Sequence, residues 1–127
     1  MKILAKVLSG ILVLAFVGLG LLFMFNPAAT VDLLQLTPEA ADGWAAIRSV
    51  FGGLFLGIAL LLLRGLMYEE WLPIRMAGII LALTILGRIV SLAVDGFEVH
   101  LLRPIAVELV LVAICLFSAR QFENTEA

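Results

Sequence analysis

Between residues 72 and 94 the chain reads LPIRMAGIILALTILGRIVSLAV. This run is too long for a strand and lacks a strand's alternation, whereas about 20 mostly apolar residues are what a helix needs to cross a bilayer core of about 30 Å. Three further runs share its character. Residues 7–25 hold no charge, 44–67 hold Arg48 near their start, and 104–119 hold Glu108. In 72–94 the conspicuous charge is Arg88, well inside the apolar run.

Composition agrees with that reading. Of 127 residues, 64% are hydrophobic and 14% charged, and the mean hydropathy is +1.20. A soluble domain is closer to half apolar and a quarter charged. One cysteine excludes a disulfide scaffold, and 8 Lys+Arg against 10 Asp+Glu leave no basic surface for nucleic acid. The expected fold is all-α: an integral membrane four-helix up-down bundle forming a single domain over 1–127, with a short interfacial helix between helices 1 and 2. A cleaved signal peptide is the rival for the N-terminus, since Lys2 and Lys6 precede the first run. That run, at about 19 residues, exceeds the 7–15 of a signal core and lacks a clear cleavage site before Asn26-Pro27, so a retained helix is expected.

Counting basic residues flanking the spans gives the orientation. Lys2, Lys6, Arg64, Arg75 and Arg120 gather on one side, with Arg103 and Arg48 on the other. Both termini and the Tyr68-Glu69-Glu70 turn are therefore expected in the cytoplasm. Trp44, Tyr68 and Trp71 fit interfacial aromatic belts, core packing being the alternative for either Trp. In the first connection, Leu33, Leu34 and Leu36 are too apolar for a solvated loop, which suggests the interfacial helix. Thr37-Pro38-Glu39 then resembles a helix start, so the second helix is expected to begin at Pro38.

Charges inside spans are costly, about 2.5–3.5 kcal/mol each on insertion scales, which makes them candidate site residues. At 1.5 Å per residue, Arg48 lies about 6 Å inward from Trp44, Arg88 about 10 Å from Asp95, and Glu108 about 7 Å from Arg103. Three helices thus place charges in one slab of the outer half. Thr84, Arg88, Ser91 and Asp95 are spaced 4, 3 and 4 and share one face of the third helix. Arg48 and Gly52 share a face of the second, the glycine leaving space beside the guanidinium, while Gly53 and Gly57 suit close helix packing within the bundle or between copies.

The expected ligand-binding set is therefore Arg48, Gly52, Thr84, Arg88, Ser91, Asp95 and Glu108. Two readings stay open. The charges of Arg48, Arg88, Asp95 and Glu108 sum to zero and could form a purely structural network. Alternatively they line an outward-opening polar pocket whose arginine forks hold a lipid headgroup or other amphipathic anion. Glu108 is the one candidate acid or base if the protein is an enzyme, which the sequence does not favour. No cofactor and no metal are expected: His100 is the only histidine and shares a turn with Asp95 and Glu98. Cys115 stands alone and suits packing. Expected partners are membrane lipid and either further copies or a larger membrane complex, to which the chain would be a structural or assembly subunit. A small enzyme on a lipid-soluble substrate is the remaining class.

Two stretches carry a family resemblance: Ile47-Arg48-Ser49-Val50-Phe51-Gly52-Gly53-Leu54-Phe55-Leu56-Gly57, and Leu86-Gly87-Arg88-Ile89-Val90-Ser91-Leu92-Ala93-Val94-Asp95-Gly96. With the Pro104-x-x-x-Glu108 spacing, they resemble a bacterial four-helix membrane family catalogued as domain of unknown function 4345. The resemblance implies this fold and these site residues over about residues 26–117, and it implies no reaction.

Overall fold

The computed structural model describes residues 2–34, 36–96, 99 and 102–126, without the side chains of 33, 34, 125 and 126. Glu98 and His100, raised above as poor metal candidates, lie outside the described residues. The chain is all-α. Helix α1 covers Lys2–Phe25, a short α2 covers Val31–Leu34, α3 covers Ala41–Tyr68, α4 covers Trp71–Val94 and α5 covers Leu102–Glu126. All but α2 are long and apolar enough to span a membrane. Within α3, residues Ile47–Gly52 form a π turn.

Local chemistry sets the boundaries. Pro27 ends α1 because it supplies no N–H and restricts the residue before it, and Asn26 leaves the helix at φ −138°. Pro27 then opens a single 3₁₀ turn, whose carbonyl accepts from the Thr30 hydroxyl at 2.6 Å and the Thr30 N–H at 2.9 Å. Helix α3 begins at Ala41, three residues later than Pro38, with Ala40 in extended conformation as its cap. Pro38 instead packs over its first turn, where a Cβ on Gly43 would lie 3.1 Å from the proline ring. Helix α5 runs to Glu126, past the expected end at residue 119, because Phe122 is fully buried and holds the polar tail in helical register.

Contacts gather the chain into two compact units, Ile11–Leu60 and Met1–Gly10 with Leu61–Ala127. In the first, α1 crosses the start of α3 through glycine. A Cβ on Gly52 would sit 3.1 Å from Met24 Cβ and 3.3 Å from the Gly20 carbonyl, and one on Gly20 would sit 3.0 Å from the Leu56 nitrogen. Phe16 and Phe23 of α1 meet Phe51 and Phe55 of α3, with ring centroids 5.8 Å (Phe16–Phe55), 5.6 Å (Phe23–Phe51) and 5.2 Å (Phe23–Phe55) apart. Such offset aromatic contacts add directional preference to dispersion, which matters where lipid tails are as apolar as the helices.

In the second unit all four long helices contribute to one core: Ala5, Leu62, Ile74, Ala77, Cys115, Ala119 and Phe122 are fully buried. Helix α4 buries Ile74, Ala77, Gly78, Leu81 and Ile85 along one stripe and exposes Ile79, Leu83, Leu86 and Val90 elsewhere. A helix that is apolar all round suits a lipid solvent. Gly78 brings α5 close, since a Cβ there would lie 3.1 Å from Cys115 Cβ.

The α3–α4 turn is closed by Glu69 in the left-handed region, at φ 54°. Glu70 N–H donates to the Gly65 carbonyl at 3.0 Å, the six-to-one bond of a Schellman ending in which glycine usually occupies the left-handed place. Glu69 is held there from α1, accepting Lys2 Nζ at 3.2 Å and Lys6 Nζ at 2.5 Å. Lys6 first, and Lys2 with it, keep its carboxyl below the ordinary value of 4.5. A lowered folded pKa gives stability that is complete above 4.5 and is lost as pH falls through the folded value. Resistance to detergent unfolding should therefore be flat down to about pH 5 and fall in more acid solution, and Glu69→Gln should remove that contribution to the fall. An unchanged acid limb in the variant would rule the clasp out as its source.

Candidate functional site

Of the four polar residues on the expected α4 stripe, one reaches another helix. Arg88 Nε donates to Glu108 Oε1 at 2.9 Å and Oε2 at 3.0 Å, joining α4 to α5. Thr84 turns its hydroxyl onto its own helix, donating to the Leu81 carbonyl at 2.6 Å. Ser91 donates to Asp95 Oδ2 at 2.9 Å, and the Asp95 N–H returns to the Ser91 carbonyl at 2.8 Å. That pair closes the end of α4, where Gly96 turns the chain at φ 114°.

The Arg88–Glu108 pair is unequal in access. The Arg88 side chain is 41% exposed and that of Glu108 is 17%. Among the described residues Glu108 is the guanidinium's partner, taken through Nε, so both terminal NH2 groups remain as donors. A second cross-helix pair, Arg75 NH2 to Glu123 Oε2 at 2.7 Å, joins the same helices at their other end. The two arginines stand 88 − 75 = 13 residues apart, about 20 Å along α4. By the rise used for the other charges, Arg75 stands about 6 Å inward from Trp71 and Arg88 about 10 Å inward from Asp95.

Arg48 belongs to the unit Ile11–Leu60. Its NH1 donates to the Met24 carbonyl at 2.5 Å, one of the last-turn carbonyls of α1 that the helix itself leaves without a partner. Gly52 does share this face, but the space expected beside the guanidinium is filled by Met24. Gly52 is a packing glycine. Of the two expectations for Gly53 and Gly57, packing within the chain is not used: a Cβ on either meets no described atom within 4 Å, which leaves packing between copies. Gly20, Gly52, Gly65 and Gly78 bring helices of this chain together. Spacing alone could not separate the two sets, because Gly52 and Gly53 are neighbours in sequence and only helix rotation decides which faces a partner.

Near the connection, a cavity of about 310 Å³ is lined by apolar side chains, among them Leu36, Pro38, Ile47, Val50 and Phe51, and by none of the expected ligand set. Sequence reasoning missed the clasp of Lys2 and Lys6 on Glu69, which links residues more than sixty positions apart and leaves no local mark. It also missed the grouping of Arg64, Glu70 and Trp71, although the basic residues had been assigned to one end.

No curated protein and no solved structure matches the chain. A family model described as "Domain of unknown function (DUF4345)" matches residues 4–119, including both stretches that carried the resemblance. With four apolar helices and a match over nearly its whole length, the chain belongs to the DUF4345 family of unassigned activity.

Proposed function

We propose that this protein is a multi-pass protein of a bacterial inner membrane, both termini cytoplasmic, that binds a lipid headgroup or other anionic amphiphile at Arg88. The observation that carries the reading is the way the guanidinium is held. Glu108 neutralises it through Nε alone, which steadies a cation inside an apolar span while leaving the planar pair of NH2 groups for phosphate or carboxylate. The more exposed member of the pair is the arginine, so an anion approaching from the lipid side meets donors before it meets the carboxylate.

The test is native mass spectrometry of the protein extracted gently from its own membranes. A discrete bound mass is expected, lost in Arg88→Ala and weakened in Arg88→Lys, which keeps the charge without the fork. The same mass on Arg88→Ala, or a bare unsubstituted protein, overturns the reading. The close Arg88–Glu108 contact also favours a second one, in which the pair fixes helix register in a subunit of a larger membrane assembly. Defined partner proteins co-purifying in place of a small guest would support that alternative.

A further inference from the structure

We infer a second lipid site, independent of the Arg88 reading, that takes a phospholipid whose headgroup carries both a phosphate and a primary ammonium. It is the groove of about 430 Å³ where α3 hands over to α4, lined by Arg64, Glu70, Trp71, Leu72, Pro73 and Met76.

The charges in this groove come as an ordered couple. Arg64 Nε donates to Glu70 Oε2 at 3.1 Å, with 61% of the arginine side chain and 40% of the glutamate exposed. Among the described residues that leaves the two terminal NH2 groups of Arg64 and Oε1 of Glu70 without a partner. Glu70 is also the residue before the first turn of α4, yet its side chain does not cap that helix; it is turned to Arg64. The result is a forked cation beside a carboxylate oxygen, the complement of a phosphate beside an ammonium. A glycerol headgroup offers the phosphate and no cation for Glu70. Choline carries a cation with no N–H to donate.

The surroundings set the depth and the tail. Tyr68 ends α3 and Trp71 opens α4, and both rings lie where aromatic residues sit at headgroup level. The guanidinium of Arg64 stands 5.2 Å from the Tyr68 ring centroid, and that of Arg75 covers the Trp71 ring at 4.6 Å. From this level Leu72 and Met76, four residues apart and both exposed, form an apolar strip along α4 toward the membrane interior. A headgroup at Arg64 and Glu70 lays its first acyl chain on that strip.

The two tryptophans are Trp44 and Trp71, so Trp44→Phe leaves a single reporter in the groove. Full-length Trp44→Phe protein is reconstituted in bilayers of phosphatidylcholine containing a rising fraction of acyl-brominated phosphatidylethanolamine, phosphatidylcholine or phosphatidylglycerol, and Trp71 quenching is followed. Brominated phosphatidylethanolamine is expected to reach half-quenching at about a threefold lower mole fraction than brominated phosphatidylcholine, the scale of one exposed ion pair. Glu70→Gln should abolish that preference, and Arg64→Gln should weaken it, in protein whose helical circular dichroism is unchanged. Equal quenching by all three lipids in Trp44→Phe overturns the site, and this comparison needs no groove variant to fold. Stronger quenching by phosphatidylglycerol than by phosphatidylethanolamine also overturns it, showing a simple anion site.

Discussion

Replacing Arg88 by methionine and Glu108 by leucine together is expected to leave the protein at least as resistant to unfolding as the unsubstituted chain, and empty of its guest. Glu108→Leu alone should lower the unfolding free energy by about 3 kcal/mol, the scale of an uncompensated charge in an apolar span. The asymmetry follows from what each change strands. The single variant leaves a guanidinium without the carboxylate that accepts from its Nε. The double variant removes both charges and substitutes side chains that lipid and helix accept equally. Ion pairs replaced this way in protein interiors are often neutral or favourable for stability. Graded unfolding in mixed micelles measures the first quantity, and the mass of the extracted complex reads the second. A firm double variant that still carries the guest would remove Arg88 from the binding site. If both the double and the single variants fail to fold, the pair is the structural element and the register reading gains.

The second large effect is expected at Gly65. Gly65→Val should cost at least about 2 kcal/mol, in the range of overpacking a well-filled site. A Cβ there would lie 2.8 Å from Ile74 Cδ1 and 2.9 Å from the Glu70 carbonyl oxygen. Rotation can displace the Ile74 side chain; the carbonyl is backbone and belongs to the turn that Gly65 itself closes. Relief therefore requires moving α4 against α3. Gly53→Ala and Gly57→Ala are the matched comparison, with open space at both positions and no loss expected. A cost at Gly53 equal to that at Gly65 would indicate a general intolerance of side chains on α3 and refute the steric argument.

These two sites show where a sequence is legible and where it is not. The spans and their apolar length follow from one-dimensional quantities, hydropathy and rise per residue, and the same rise brings Arg88 and Glu108 to comparable levels on helices whose side chains meet. Which glycine packs is a matter of helix rotation. Gly53 and Gly57 match the small-xxx-small spacing, yet the close crossings use Gly20 against Gly52 and Gly65 against Ile74. Thr37-Pro38-Glu39 has the chemistry of a helix start, yet α3 begins at Ala41 because Pro38 is used to cover Gly43. Face alone groups Ser91 and Thr84 with Arg88. A short hydroxyl side chain in a helix has its own backbone or a neighbour one turn away within reach, and both satisfy themselves there.

The π turn at Ile47–Gly52 has a consequence for how this chain can change length. Such a turn closes its ring one residue later than an α-helix does, so it stores a surplus residue within the span. Losing one residue between positions 47 and 52 would restore a regular helix and keep Trp44 and Phe55 in phase. Losing one at Leu61 would swing every later face of α3 by about 100°, taking Arg64 and Gly65 with it. Length variants among natural relatives should therefore cluster at the π turn, and a library of single-residue deletions through α3 should yield folded protein there and not at Leu61.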